Sequence, residues 1–201
     1  MGFERIWHKS YPEGVPAEID VERITLPEAL SRSALSHPEV EALIYMGKRM
    51  TYRELNALVN RFARALISFG VKRGDKVAML LPNIPQVVIA NYAAFRIGAV
   101  AAMNNPLYTE RELAYQLNDQ DAEVLVTLDL LVPRIHKIKP QTKIRTVIAC
   151  HINDYLPFPI KQLFPHLKKE MYRKLQSGDG VHEFLPLIGT CPDAPLPNEA
   201  G

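Results

Sequence analysis

Cysteine is nearly missing from this sequence, glycine-rich loops are missing altogether, and no apolar run is long enough to cross a membrane. Only Cys150 and Cys191 occur, with no CxxC and no histidine at zinc-like spacing. That argues against a disulfide-built secreted domain and for a reducing, cytoplasmic compartment. The N-terminus lacks the continuous apolar stretch of a cleaved secretory signal. Residues 87–103 come nearest to a membrane span, but they number 17 and contain Asn91, Arg96 and Gly98. A span needs about 20 apolar residues, and a central charge costs roughly 2.5–3.5 kcal/mol on insertion scales. The stretch reads as a buried helix followed by a buried strand.

Neither GxGxxG nor GxxxxGK[ST] is present, so a phosphate cradle of either kind is not encoded. Gly178-Asp179-Gly180 is a polar loop too short to replace one. There is no HExxH and no GxSxG, and none of His8, His37, His136, His151, His166 and His182 stands four residues from another. A metal site would need distant residues to converge, and structural roles are expected for the histidines. The residues alone therefore point to no catalytic residue, no cofactor-binding residue and no metal ligand.

What is present is ordinary for a globular protein: 47% apolar and 23% charged residues over 201 positions. A chain of this length buries roughly 70% of its unfolded surface. The net charge of +2 is unevenly spread. Residues 131–176 carry 10 basic and 2 acidic side chains, whereas residues 177–201 carry none and 4.

Residues 1–24 show no clear period and are expected to form an extended arm. Thr25-Leu26-Pro27-Glu28 is a capping box with proline in the first turn, predicting a helix to about Ser36, where His37-Pro38 ends it. Residues 42–45 and 49–51 read as a short hairpin. A second box, Thr51-Tyr52-Arg53-Glu54, opens the clearest helix. Leu55, Leu58, Val59, Phe62, Ala63, Leu66 and Phe69 share one face, with Arg53, Asn60, Arg61 and Arg64 placed largely away from it. Gly70 stands where a left-handed C-cap is needed.

Short apolar runs then begin at Val77, Val100, Val124 and Thr146, spaced 22 to 24 residues apart. Between them lie helical stretches at 85–97, 110–119 (opened by Thr109-Glu110-Arg111-Glu112) and about 130–139. This alternation predicts an α/β fold: a Rossmann-like parallel sheet of βαβ units with helices on both faces, preceded by the arm and the hairpin. The expected organisation is an arm at 1–24, an α/β subdomain at 25–152, and a basic amphipathic segment and Pro/Gly-rich linker at 153–201. The linker composition suggests a chain cut inside a linker.

Two motifs admit a structural and a functional reading. Gly70-Val71-Lys72-Arg73-Gly74-Asp75 joins a helix to a strand, and the favoured role is a C-cap and turn, with Asp75 bonding nearby backbone. Asn105-Pro106-Leu107-Tyr108-Thr109 falls at the carboxyl end of a strand, where α/β sheets gather ligands. Shaping the strand exit, with Tyr108 packed beneath, is the favoured role. In the basic block, Leu167, Met171 and Leu175 repeat every four residues, so His166–Gln176 is expected to form one amphipathic helix. A surface helix packed on its own protein, a membrane-surface helix and a nucleic-acid patch all remain open, the last weakest for want of an aromatic platform.

Thr51-Tyr52-Arg53-Glu54-Leu55, Gly70-Val71-Lys72-Arg73-Gly74-Asp75-Lys76-Val77, Leu81-Pro82-Asn83 and Asn105-Pro106-Leu107-Tyr108-Thr109 follow one another in an order and spacing that is highly specific. Together they resemble the N-terminal region of the adenylate-forming superfamily of acyl-CoA synthetases, luciferases and peptide-synthetase adenylation domains. The stretches from Tyr11 to Pro16 and from Asp154 to Pro159 are most similar to bacterial long-chain fatty acid–CoA ligases, and the resemblance spans about residues 5 to 185. It implies a complete ligase that uses ATP, Mg²⁺ and coenzyme A on a fatty acid. The family's Ser/Thr/Gly-rich loop ending in Pro-Lys-Gly is absent and expected shortly after residue 201, as are the later adenine- and magnesium-binding motifs and the C-terminal lysine.

The resemblance thus implies a catalytically incompetent N-terminal subdomain with no cofactor of its own, truncated before the phosphate loop. Its implied partners are the remainder of the enzyme and a second copy in a homodimer; the basic pattern itself adds an expected peripheral membrane contact from Ile160 to Leu175, and no nucleic acid is expected. The implied location is the cytoplasm, including the inner membrane face. Two alternatives stay open: a freestanding Rossmann-like nucleotide-binding or dimerisation module, and the same region of another adenylate-forming enzyme, such as an aryl-CoA ligase or adenylation domain.

Overall fold

The computed structural model describes residues 5–176, 180–194 and 196. After an exposed arm with one 3-10 turn, Ile6–Ser10, the chain runs through α1 (Leu26–Ser36), β1 (Glu41–Tyr45), β2 (Lys48–Thr51), α2 (Tyr52–Ser68), β3 (Lys76–Leu80), α3 (Pro85–Arg96) and β4 (Val100–Met103). It continues through α4 (Glu110–Asp119), β5 (Val124–Leu128), α5 (Val132–Ile138), β6 (Thr146–Cys150), α6 (Ile160–Leu167), β7 (His182–Glu183) and α7 (Phe184–Gly189). β1 and β2 form an antiparallel hairpin, and the other strands form one parallel sheet in the order β4-β3-β5-β6-β7.

Local sequence sets most of the boundaries. Thr25, Thr51 and Thr109 each accept the N–H of the glutamate three residues on, whose carboxylate accepts the threonine N–H in return. Each such cap contributes on the order of 1 kcal/mol. At the far end of α2, Gly70 N–H donates to Ile67 O at 2.8 Å and Val71 N–H to Leu66 O at 3.1 Å. This Schellman pairing requires a left-handed residue, and Gly70 sits at φ +85°. Asp75 closes the next turn by accepting Lys72 N–H at 2.8 Å.

Alternate residues of each strand feed different cores. Val77, Met79, Val124, Val126 and Ile148 face α1, α2, α3 and α7. Ala78, Leu80, Leu125 and Val147 face α4 and α5. The chain steps one way from β3 to β4, then reverses to β5 on the other side of β3. Keeping a right-handed crossover through that reversal moves the connecting helix to the opposite face. Hence both faces are covered, and the direction of winding switches between β3 and β5.

Four sequence expectations need correction. β4 is an edge strand rather than a strand covered on both faces, with Val100 48% and Met103 51% exposed. Asn60 does not lie away from the core: it is buried, accepts from Arg96 and donates to Asp193 O at 2.9 Å. The single helix expected over His166–Gln176 is absent. α6 ends at Leu167, a 3-10 turn spans Lys169–Met171, and the chain is irregular through 172–176, so Leu167, Met171 and Leu175 share no helical face. Asp129 competes for this stretch by accepting the Arg173 N–H at 2.6 Å.

The fourth correction concerns the supposed linker. His182–Glu183 add the fifth strand, beside β6, and α7 buries Phe184 and Ile188 in the core. Part of that expectation, at 177–179, 195 and 197–201, lies outside the described residues. Proline and glycine dominate the composition there, but a few large apolar side chains decide the packing. Phe184 and Phe62 have ring centroids 4.8 Å apart and are both fully enclosed. Phe184→Ala should therefore destabilise the chain by about 3–5 kcal/mol in urea unfolding; a change below about 0.5 kcal/mol would mean that α7 is not part of the folded unit.

Candidate functional site

β5 and β6 run in parallel register, with Leu128 opposite Cys150. The next residue of each strand, Asp129 and His151, is the first polar side chain after a buried run. Neighbours in parallel register project together, and the two meet: His151 Nδ1 lies 2.8 Å from Asp129 Oδ2. Asp129 is fully buried and the His151 side chain is only 13% exposed. A carboxylate facing that nitrogen assigns it the ring proton. Asp129 Oδ2 also accepts the backbone N–H of Arg173, and Tyr172 stacks on the His151 ring at 4.7 Å and 23°.

A second carboxyl group sits beneath this pair. Asp154 Oδ2 accepts the His151 N–H at 3.0 Å and Gln86 Nε2 at 3.1 Å. The same Gln86 nitrogen donates to His151 O at 2.8 Å. Gln86, wholly enclosed in the first turn of α3, thus ties the carboxyl side of β3 to that of β6. Cys150 donates its thiol to Thr127 O at 3.3 Å.

Burial governs the protonation here. It pushes the Asp154 carboxyl up against the opposing hydrogen bonds from His151 and Gln86. It pushes the Cys150 thiol well up, with the charges of Asp154 and Asp129 adding to it, so Cys150 stays a thiol and is no nucleophile. Tyr155 and Tyr172 are raised too, chiefly by burial. His151 is the exception. Burial alone would lower it, but the Asp129 hydrogen bond and charge outweigh burial and the net shift is upward. Asp129 Oδ1, Gln86 Oε1, Thr127 Oγ1, Asn153 Oδ1 and Tyr155 Oη are buried without a hydrogen bond among the described residues. The arrangement can hold a proton at His151 and anchor backbone, but it sets no activated nucleophile beside that base.

The motifs singled out in sequence land elsewhere. Asn105 Oδ1 accepts the Leu107 N–H at 3.0 Å, shaping the exit of β4, and Tyr108 packs against the α4–α5 core. Arg134 of α5 clamps this loop through Pro106 O at 3.1 Å and Tyr108 O at 2.8 Å. Gly70–Asp75 is turn architecture. Among the described residues no three His, Cys, Asp or Glu side chains converge as metal ligands. The Asp129–His151 pair was missed, yet it had a signal: each is the first polar residue after one of two successive apolar runs.

Comparison with known proteins adds a family. The family described as AMP-binding enzyme matches residues 30–196. A long-chain-fatty-acid–CoA ligase of Bacillus subtilis (strain 168) is 36% identical over 170 residues, covering 85% of this chain and 30% of the relative. One from Yersinia pestis is 38% identical over 155 residues, covering 76% of this chain and 28% of the relative. Among solved structures, an anthranilate CoA ligase in complex with anthranoyl-AMP superposes with a TM-score of 0.69 at 21% identity, over 84% of this chain and 28% of that one. At that identity the likeness speaks for the fold. The chain spans under a third of the length of the curated relatives it matches.

The Asp129–His151 contact has a pH signature. His151 holds its proton more tightly folded than unfolded, so its contribution is complete below the ordinary histidine value of 6.5 and is lost as pH rises through the raised folded value. Asp154, also raised, gives a loss of the same sign in a lower window that starts near 3.8. Asp129→Asn should cost about 1.5–3 kcal/mol near pH 6, move the His151 NMR titration downward and flatten the slope above pH 6.5 only. An unchanged His151 titration would assign the slope to another group.

Proposed function

The chain belongs to the AMP-binding enzyme family, and from that membership we propose that it forms the N-terminal α/β part of a long-chain fatty acid–CoA ligase. The observation that carries the reading is the 36% identity over 170 residues to the Bacillus subtilis ligase. The complete enzyme would join a fatty carboxylate to the α-phosphate of ATP, releasing pyrophosphate. Coenzyme A thiol would then take the acyl group, releasing AMP. A carboxylate is a poor electrophile, and adenylation gives it a leaving group. The charge that builds on phosphate must be met by N–H donors, a cation and a metal ion.

The residues described do not fit that task. Leu81-Pro82-Asn83-Ile84 between β3 and α3 has no glycine, and α3 starts on Pro85, which lacks an N–H to offer a phosphate. The ends of β5 and β6 offer Asp129 and Asp154, whose charge opposes a triphosphate. No step through ATP or Mg²⁺ is assigned to these side chains, and ATP, Mg²⁺, coenzyme A and the fatty acid are placed on the longer protein. In this reading the rest of the ligase is the chief partner and the cytoplasm the setting. Exposed Ile6, Trp7, Tyr11, Ile19 and Val21 on the arm support a homodimer contact there.

ATP–pyrophosphate exchange tests the proposal when run on residues 1–201 and on the longest reading frame that contains them. Exchange driven by palmitate and oleate is expected from the longer product, and none from residues 1–201. A preference for benzoate would replace the long-chain assignment with an aryl one. Turnover by residues 1–201 alone would overturn the placement of the chemistry.

A further inference from the structure

We propose that α6 and its flanks form a lipid-facing surface that docks on an anionic membrane. Ile160, Leu163 and Leu167 recur at i, i+3 and i+7, so they lie on one side of the helix. They are exposed by 46%, 47% and 69%, and Phe158, just before the helix, by 83%. An apolar stripe normally turns inward. Here only Phe164 does so, and the stripe beside it stays outside.

The stripe is held outward from both ends. Asn153 Nδ2 donates to Lys161 O at 3.0 Å, fixing the first turn of α6 to the end of β6. Beyond the helix, Tyr172 stacks on His151, Arg173 N–H bonds Asp129, and Leu175 is buried. A helix pinned on both sides with its apolar face in water is a built surface rather than a frayed end.

The charge around the stripe indicates what covers it. Residues 155–176 hold Lys161, Lys168, Lys169, Arg173 and Lys174 against a single acidic side chain, Glu170. Lys168, Lys169 and Lys174 form no ion pair among the described residues. An exposed apolar face followed in the chain by exposed lysines matches the two layers of an anionic bilayer surface, acyl chains beneath and phosphate headgroups above. Nucleic acid offers the negative charge but nothing to bury the leucines. Vesicle binding is read directly, so the test needs no turnover.

Co-sedimentation of the full chain with vesicles decides it. Binding is expected to phosphatidylglycerol-containing vesicles at low salt, at least about tenfold tighter than to pure phosphatidylcholine, and weakened by added salt. Leu163→Asp should reduce it at least about tenfold, and each of Lys168→Glu and Lys169→Glu about fivefold or more. All three sites are exposed, so circular dichroism and the His151 titration should be unchanged in the variants. Failure to bind anionic vesicles, equal binding to both compositions, or binding indifferent to these substitutions would overturn the proposal. So would sedimentation velocity showing that the stripe instead holds a second copy, with Leu163→Asp dissolving a dimer and lipid binding absent.

Discussion

β5 is buried at all five of its positions, and that burial constrains everything around it. A parallel strand covered by helices on both faces has no solvated side on which to carry polar groups. Thr127 is the one polar side chain inside it, and charged side chains are displaced to its ends. At the carboxyl end this puts Asp129 one step beyond the last apolar residue, while the register with β6 puts His151 beside it. Burying a carboxylate there is costly unless donors surround it. Asp129 finds two on the same oxygen, the His151 ring and the Arg173 backbone.

The parts legible in the sequence are those decided by local chemistry. Thr51 and Glu54 cap α2 within four residues, and Gly70 ends it by tolerating a positive φ. Neither needs a distant partner. The apolar runs at Val77, Val124 and Thr146 likewise announce a parallel sheet, because strands covered on both faces lack polar alternation. β4 carries much the same composition and is exposed at both ends, since edge or centre is a property of strand order.

What the sequence left hidden depends on contacts between distant segments. Residues 177–201 have a linker composition, yet Phe184 pairs with Phe62 and Asp193 O accepts from Asn60. Burying one aromatic ring stabilises by a few kcal/mol, enough to hold a short segment whose local propensity is poor. The basic stretch errs in the opposite direction. Its four-residue repeat of Leu167, Met171 and Leu175 promises a helix, but Leu175 is drawn into a small cluster with Val132 and Ala149 instead. Short amphipathic patterns are weak against such pulls because an isolated helix of this length is marginal in water. The candidate site was hidden for the same reason: 22 residues separate Asp129 from His151, and only strand register brings them together.

The acidic end of the sheet and the basic segment are then two halves of one arrangement. Asp129, Asp154 and Glu183 gather at the ends of β5, β6 and β7, and their charges raise Tyr172 and help raise His151. That negative field favours the approach of a chain rich in lysine. It captures the segment mainly through backbone and ring groups, the Arg173 N–H and the Tyr172 face. Had the lysines themselves supplied the contacts, their charge would be spent inside the fold. Because they do not, Lys168, Lys169 and Lys174 remain exposed in the stretch that follows α6. The interaction that stabilises the site thereby helps set which face of α6 is left exposed.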